Sequence, residues 1–220
     1  RYIYNMELQK EEGGREYLPA IRKKELMAGG DIMGLRNYFF FDQEDFYYTL
    51  DIKETLEKWD TDDVLKKLSG IIQEGEYDFM FLLLPHEGTH GHHKASSILA
   101  MQAAARLPAA VRPVTFVSFV RSPGSEGTAF SMLEGYPISQ IDKNVETFEF
   151  DRNQKFGYDN RLDYNIIADW VIAEHKSQGT MQLLAGGERI EQYHYLKMNE
   201  GRGIKKARAF FDAVTNVRPE

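Results

Sequence analysis

The chain contains no cysteine. That excludes disulfides, thiolate metal ligands and a thiol nucleophile. A chain without thiols tolerates either redox environment, so the compartment stays open. Nowhere do apolar residues run for the roughly 20 positions a membrane-crossing helix needs, and no signal-peptide pattern is visible. Positive charge is also short. The 27 Lys and Arg against 34 Asp and Glu leave a formal net charge of -7, whereas a nucleic-acid surface normally shows a basic patch. Internal repeats and low-complexity tracts are missing, which argues against a solenoid. The chain opens on Arg1-Tyr2-Ile3-Tyr4 rather than on Met, as a processed or cropped chain would.

What is present is an ordinary globular composition. Hydrophobic residues make up 42% of the 220 positions and charged residues 28%, enough for a single domain over residues 1–220 with a sizeable core. Helix-like and strand-like pieces alternate. Leu18 to Met33 has apolar residues at helical spacing, with Gly29 and Gly30 expected to end or break it. Asn37 to Phe41 reads as a buried strand. Thr61-Asp62-Asp63 looks like a helix start. Tyr77 to Leu84 is a near-continuous apolar run, which predicts a strand covered on both faces. Lys94 to Leu107 reads as an alanine-rich helix, Val114 to Val120 as the next strand, and Thr147 to Phe150 as a half-exposed one. Arg161 to Gln178 predicts a long amphipathic helix and Lys205 to Val214 a last one. This order implies an α/β fold with a mostly parallel sheet. Ligands in such sheets sit at the carboxyl ends of strands, which directs attention to the loop after Leu84.

Four of the six histidines fall in that loop, Pro85-His86-Glu87-Gly88-Thr89-His90-Gly91-His92-His93-Lys94. His90 and His93 are three apart, so in a helical turn both imidazoles project from one face, while His92 points away from it. Imidazole is a common zinc ligand, and a catalytic zinc takes about three protein ligands plus water. One or two histidines from this loop therefore need further ligands from elsewhere. Glu87 is a candidate to orient an imidazole. The bland alternative is a set of solvated loop histidines, which four clustered at a strand end make less attractive.

At this loop the sequence resembles the PIG-L family, the LmbE-like zinc-dependent deacetylases that remove acetyl groups from N-acetylglucosamine derivatives. The family's Gly-His-Pro-Asp-His corresponds to Thr89-His90-Gly91-His92-His93. Upstream, Ile21 to Leu26 resembles its Arg-x-x-Glu helix, through Arg22 and Glu25. Downstream, His175-Lys176-Ser177-Gln178 resembles its His-Lys/Arg-Ser-Gln helix ending. The resemblance implies a three-layer Rossmann-like sheet with helices on both faces. It implies zinc as cofactor and a small amino-sugar conjugate as substrate. His93 matches the zinc-ligating histidine. His90 matches the one placed near the scissile amide as an acid or electrostatic stabiliser, and Arg22 matches an arginine near the substrate in some members.

The sequence departs from the family where the chemistry is densest. The signature Ala-His-Pro-Asp-Asp-Glu, which ends the family's first strand and supplies two zinc ligands and a general base, is missing. Asp-Asp occurs only at Asp62-Asp63, in what reads as a helix cap. A first strand-helix unit is thus expected to be missing from this chain. His92 stands where the family has Asp, and Gly88 where some members have Tyr. Phe46, Tyr47 and Tyr48 are aromatic residues able to stack on a sugar, although such residues more often build a core. His175, Ser177 and Gln178 follow one another on one helix and cannot converge as a triad does, so they read as structural. Two alternatives stay open: a non-catalytic carbohydrate-binding module on the same fold, and a metal-dependent amidase with another substrate.

Overall fold

A computed structural model describes residues 12–127, 129–179 and 187–216. The opening Arg1-Tyr2-Ile3-Tyr4 lies outside the described residues. The chain divides into two compact units. One holds the described residues up to Phe40 together with 151–179 and 187–189; the other runs from Phe41 to Phe150 and from Ile190 to Asn216.

In the first unit, helix α1 (Glu12–Ile32) packs against helix α5 (Tyr164–Glu174). Gly29 and Gly30 do not break α1; they lie within it and let other groups approach closely. A Cβ on Gly30 would stand 2.5 Å from the ring of Tyr38, and one on Gly29 would stand 3.3 Å from His175 Cε1. The expected helix from Arg161 starts later than its periodicity suggests. Strand β5 (Leu162–Asp163) first pairs with β4 (Lys155–Phe156). Asp163 then caps α5 by accepting from the backbone of Ile166 at 3.3 Å, and the helix ends at His175.

Asn37 to Phe41 is not a buried strand. It runs without strand pairing, and Phe39 and Phe40 are exposed. Backbone N–H and C=O groups form a strand only where a neighbour accepts them, and among the described residues none does. Tyr38 is instead tied to α1 by its hydroxyl, which donates to Asp31 at 2.7 Å.

The second unit contains the main sheet, in the order β1 (Phe79–Leu83), β2 (Val114–Arg121), β6 (Ile190–Tyr195), β3 (Phe148–Asp151). β1 and β2 are parallel, with Phe79 opposite Val114 and Leu83 opposite Ser118. β2 and β6 are antiparallel, with Phe116 opposite Tyr195. The fold is therefore α/β with a mixed sheet, not the mostly parallel sheet expected. The strand responsible, β6, is a polar-apolar stretch (Ile-Glu-Gln-Tyr-His-Tyr) that lacks the continuous apolar run of a doubly covered parallel strand.

Alternation along β2 sorts the core into two sides. Val114 and Phe116 join Phe211 of helix α6 (Ile204–Thr215). Val117 joins Ala95, Ile98 and Met101 of helix α4 (Gly91–Ala105). The small residues Ala103 and Ala104 let α4 sit close to helix α3 (Thr61–Gly75), which contributes Val64, Leu65 and Ile72. Asp60 caps α3, accepting from Asp63 N at 3.1 Å, and Asp62 and Asp63 favour its positive end. A short helix unmarked in the sequence, α2 (Ile52–Lys58), precedes it, with Asp51 accepting from Lys53 N at 2.8 Å. β1 is an edge strand, and Phe81 and Leu83 remain 42% and 44% exposed. The expectation of cover on both faces fails there: Phe81 and Leu83 share one face of the strand, and the described residues cover that face only in part.

Candidate functional site

The loop between β1 and α4 is held by hydrogen bonds from its own residues. The Leu84 amide donates to Ser118 O at 2.8 Å, carrying the ladder one residue past β1 before Pro85 ends it. The amides of His86 and Thr89 donate to Leu84 O and His86 O at 2.8 and 2.9 Å. His86 Nδ1 accepts from Gly88 N at 3.1 Å. Lys94, only 4% exposed, donates from Nζ to Glu87 O at 2.9 Å and so straps the loop to the first turn of α4. Burial lowers the pKa of this ammonium, and Asp51 and Glu87 counter that. Glu87 is exposed; it contributes its backbone carbonyl, and no contact of its carboxylate with a histidine is found among the described residues.

His90 is the N-cap of α4, extended at ψ 141, and its Nδ1 accepts from His92 N at 3.3 Å. Accepting at Nδ1 assigns the proton of the neutral ring to Nε2, so the remaining nitrogen of His90 is a donor. Gly91 follows, with its amide donating to Thr49 O at 2.7 Å. A Cβ there would stand 2.7 Å from the backbone oxygen of Asp51 and 2.9 Å from Thr55 Oγ1. The segment before α2 is thereby locked against the start of α4.

His90 and His93 do come together, with ring centroids 5.7 Å apart. His93 is exposed, and its ring makes no hydrogen bond among the described residues. Protein crowding the ring and then the neighbouring His90 lower its pKa, in the direction of the neutral form that a metal ligand needs. His92 differs from expectation. Its ring is 4.3 Å from that of His90 and it is buried, packed edge-on to Phe46 at 4.3 Å and near Trp59 at 5.4 Å. Helical spacing misplaces it because His90 caps the helix with non-helical dihedrals, so the rule for residues in one turn does not apply. His92 Nδ1 lies 3.5 Å from Asp45, and burial followed by His90 lowers its pKa.

Arg22 lies half-buried on α1 in the first unit, whereas His90 and His93 open α4 in the second. In the first unit, two motifs far apart in sequence meet. Glu25 accepts from Ser177 N and Ser177 Oγ, each at 2.7 Å. His175 Nδ1 sits 2.9 Å from Val171 O.

Among the described residues no three His, Asp or Glu side chains converge to hold a metal ion. A catalytic zinc needs about three. His93 fits as one neutral donor, and the described residues alone do not close a zinc site.

No family model matches the chain, and no solved structure matches it. Over 100 residues the chain is 34% identical to the probable N-acetyl-alpha-D-glucosaminyl L-malate deacetylase 2 of Bacillus cereus. The shared stretch covers 46% of this chain and 42% of that protein, so the chain spans less than half of the length of the curated relative it matches.

Proposed function

We propose that this chain is part of a zinc-dependent hydrolase that removes the N-acetyl group from an N-acetylglucosamine-type conjugate, on a three-layer Rossmann-like fold of the PIG-L kind. The observation that carries the reading is the pairing of His90 and His93 at one helix start beside the end of β1. It is joined to the 34% identity with a protein named as a deacetylase of such a conjugate.

In this reading His93 would contribute one imidazole to the metal, which takes about two more protein ligands. A divalent ion held there would supply an acidified water and polarisation of the acetyl carbonyl. The chain's own contribution is positional. The Nε2 proton of His90 is a donor for the oxyanion that forms as the amide is attacked. The amide end of α4, with no acidic residue in its first turn, adds positive potential at the same place. Lys94 holds the loop so that these donors keep their spacing. Arg22 is assigned to the substrate by resemblance alone.

Metal analysis of the purified chain, paired with acetate release from an N-acetylglucosaminyl malate, tests the reading. Bound zinc and chelator-sensitive acetate release support it; acetate release indifferent to chelator overturns the zinc assignment. With no three-ligand cluster among the described residues, a second reading is a sugar-binding module without catalysis. That reading requires sugar binding that chelator leaves unchanged and no acetate release.

A further inference from the structure

Beside His90 stands a run of three aromatic residues, and their surroundings differ. Phe46 is packed edge-on against His92, and the Lys58 ammonium sits 4.7 Å from its ring centroid. The same ammonium lies 5.7 Å from the ring of Tyr47, whose hydroxyl is bonded to Glu54. A cation over a ring already uses its π face. Tyr48 is different. It is 71% exposed, and its ring lies against that of His90, at 4.8 Å between centroids and 43° between planes.

Its backbone is nevertheless fixed on both sides. Upstream, the Trp59 indole donates to Glu44 O at 2.9 Å and Gln43 Oε1 accepts from Asp60 N at 2.8 Å. Downstream, Thr49 O accepts from Gly91 N and Thr49 Oγ1 from Asp51 N at 3.0 Å. An exposed aromatic ring on an immobilised backbone is a preorganised surface: little ordering entropy remains to be lost when something covers it.

We propose that Tyr48 is the stacking platform for the pyranose ring of the amino sugar, setting specificity for a cyclic substrate at the His90–His93 site. The inference rests on the deacetylase reading for the location of the acetamide, and on this ring for the sugar. A pyranose presents a face of polarised C–H groups, which meets the negative face of an aromatic ring favourably. A substrate stacked on Tyr48 places its ring substituents next to His90, whose Nε2 proton is a donor. Tyr47 is also exposed, at 63%, but the Lys58 ammonium lies beside its ring as it does beside that of Phe46.

The test uses the full chain and two probes: glucosaminyl malate, the deacetylated product, for equilibrium binding by calorimetry, and acetate release from its N-acetyl form beside N-acetylethanolamine, an acyclic amide. Tyr48→Ala and Tyr48→Leu are expected to weaken product binding and raise KM for the sugar substrate by about tenfold. They should raise KM for the sugar substrate more than for the acyclic amide, and Tyr48→Phe should restore binding. Circular dichroism confirms that each variant is folded, and Tyr48→Leu serves if Tyr48→Ala is not. Product binding that is equal in wild type and Tyr48→Leu overturns the inference, as does a wild type that binds no product. Wild type that binds product through Tyr48 yet releases no acetate keeps the platform and removes the deacetylase.

Discussion

The carboxylate of Glu25 receives both the amide and the hydroxyl proton of Ser177, 152 residues away, at 2.7 Å each. Glu25 is buried, and Ser177 lies at the close of the turn after α5. The Arg-x-x-Glu and His-Lys-Ser-Gln motifs thus have a joint structural role in the first unit: they tie α1 to the end of α5.

Glu25→Ala is expected to destabilise the chain by about 2–4 kcal/mol, since hydrogen bonds to a charged group contribute about 1.5–3 kcal/mol and the Ser177 amide would lose its acceptor. Glu25→Gln should cost less, because the amide still offers one acceptor and the hydroxyl rotates to accept from the new NH2 group. Urea midpoints measure both. Equal losses in the two variants would show that the carboxylate's charge, not its geometry, is what matters.

Two glycine-to-alanine changes should move in opposite directions. Gly91→Ala drives a Cβ to 2.7 Å from Asp51 O, a backbone atom that cannot swing aside, and should cost about 1–3 kcal/mol. Gly70 lies in the interior of α3 with nothing within 4 Å of its added Cβ. Gly70→Ala should stabilise by about 0.5–1 kcal/mol through helix propensity. Thermal unfolding of both variants checks the pair.

The two site histidines are expected to separate in their effects. His93→Ala should remove bound zinc and acetate release together. His90→Ala should keep the zinc and lower turnover by about 100-fold or more, the loss typical of one oxyanion donor. Metal content by mass spectrometry beside kcat decides; equal zinc loss in both would mean that His90 is also a ligand.

Away from the site, His194 on β6 has its pKa lowered by burial, only partly offset by Glu149. Its Nδ1 is 3.2 Å from Thr147 Oγ1. A histidine held below its unfolded pKa binds fewer protons folded than unfolded. Its contribution to stability is therefore complete above about pH 6.5 and declines as pH falls through the folded value. His194→Gln should flatten the fall in urea midpoint between about pH 7 and pH 5. An unchanged slope would assign the acid sensitivity to other groups.

Local pattern was enough for much of this molecule. Thr61 begins a helix, Val114 begins a strand, and Pro85 ends one, because helix starts, β-branched runs and proline act within a few residues; the cap itself is Asp60, not Asp62-Asp63. The histidine loop and its place at a strand end were legible for the same reason. The direction of β6 was not, since strand pairing is settled by partners far along the chain. Nor was the exposure of Phe39 and Phe40, because an aromatic run looks the same buried or bare. Residues 52–58 gave no strong periodic signal, yet α2 and the segment before it are what place Tyr48 and Thr49 against α4.

By itself the amino-acid order determined the helices and strands of the second unit apart from α2 and β6, the chemistry available at residues 86–94, and a resemblance to deacetylases spread over three motifs. Only tertiary structure decided that His92 turns inward, that His90 spends Nδ1 on a helix cap and keeps a donor, and that Tyr48, of three aromatic neighbours, sets its ring against His90. The physical reason is that composition and spacing act along the chain, whereas tautomer, burial and the free face of a ring are set by atoms brought from elsewhere in it.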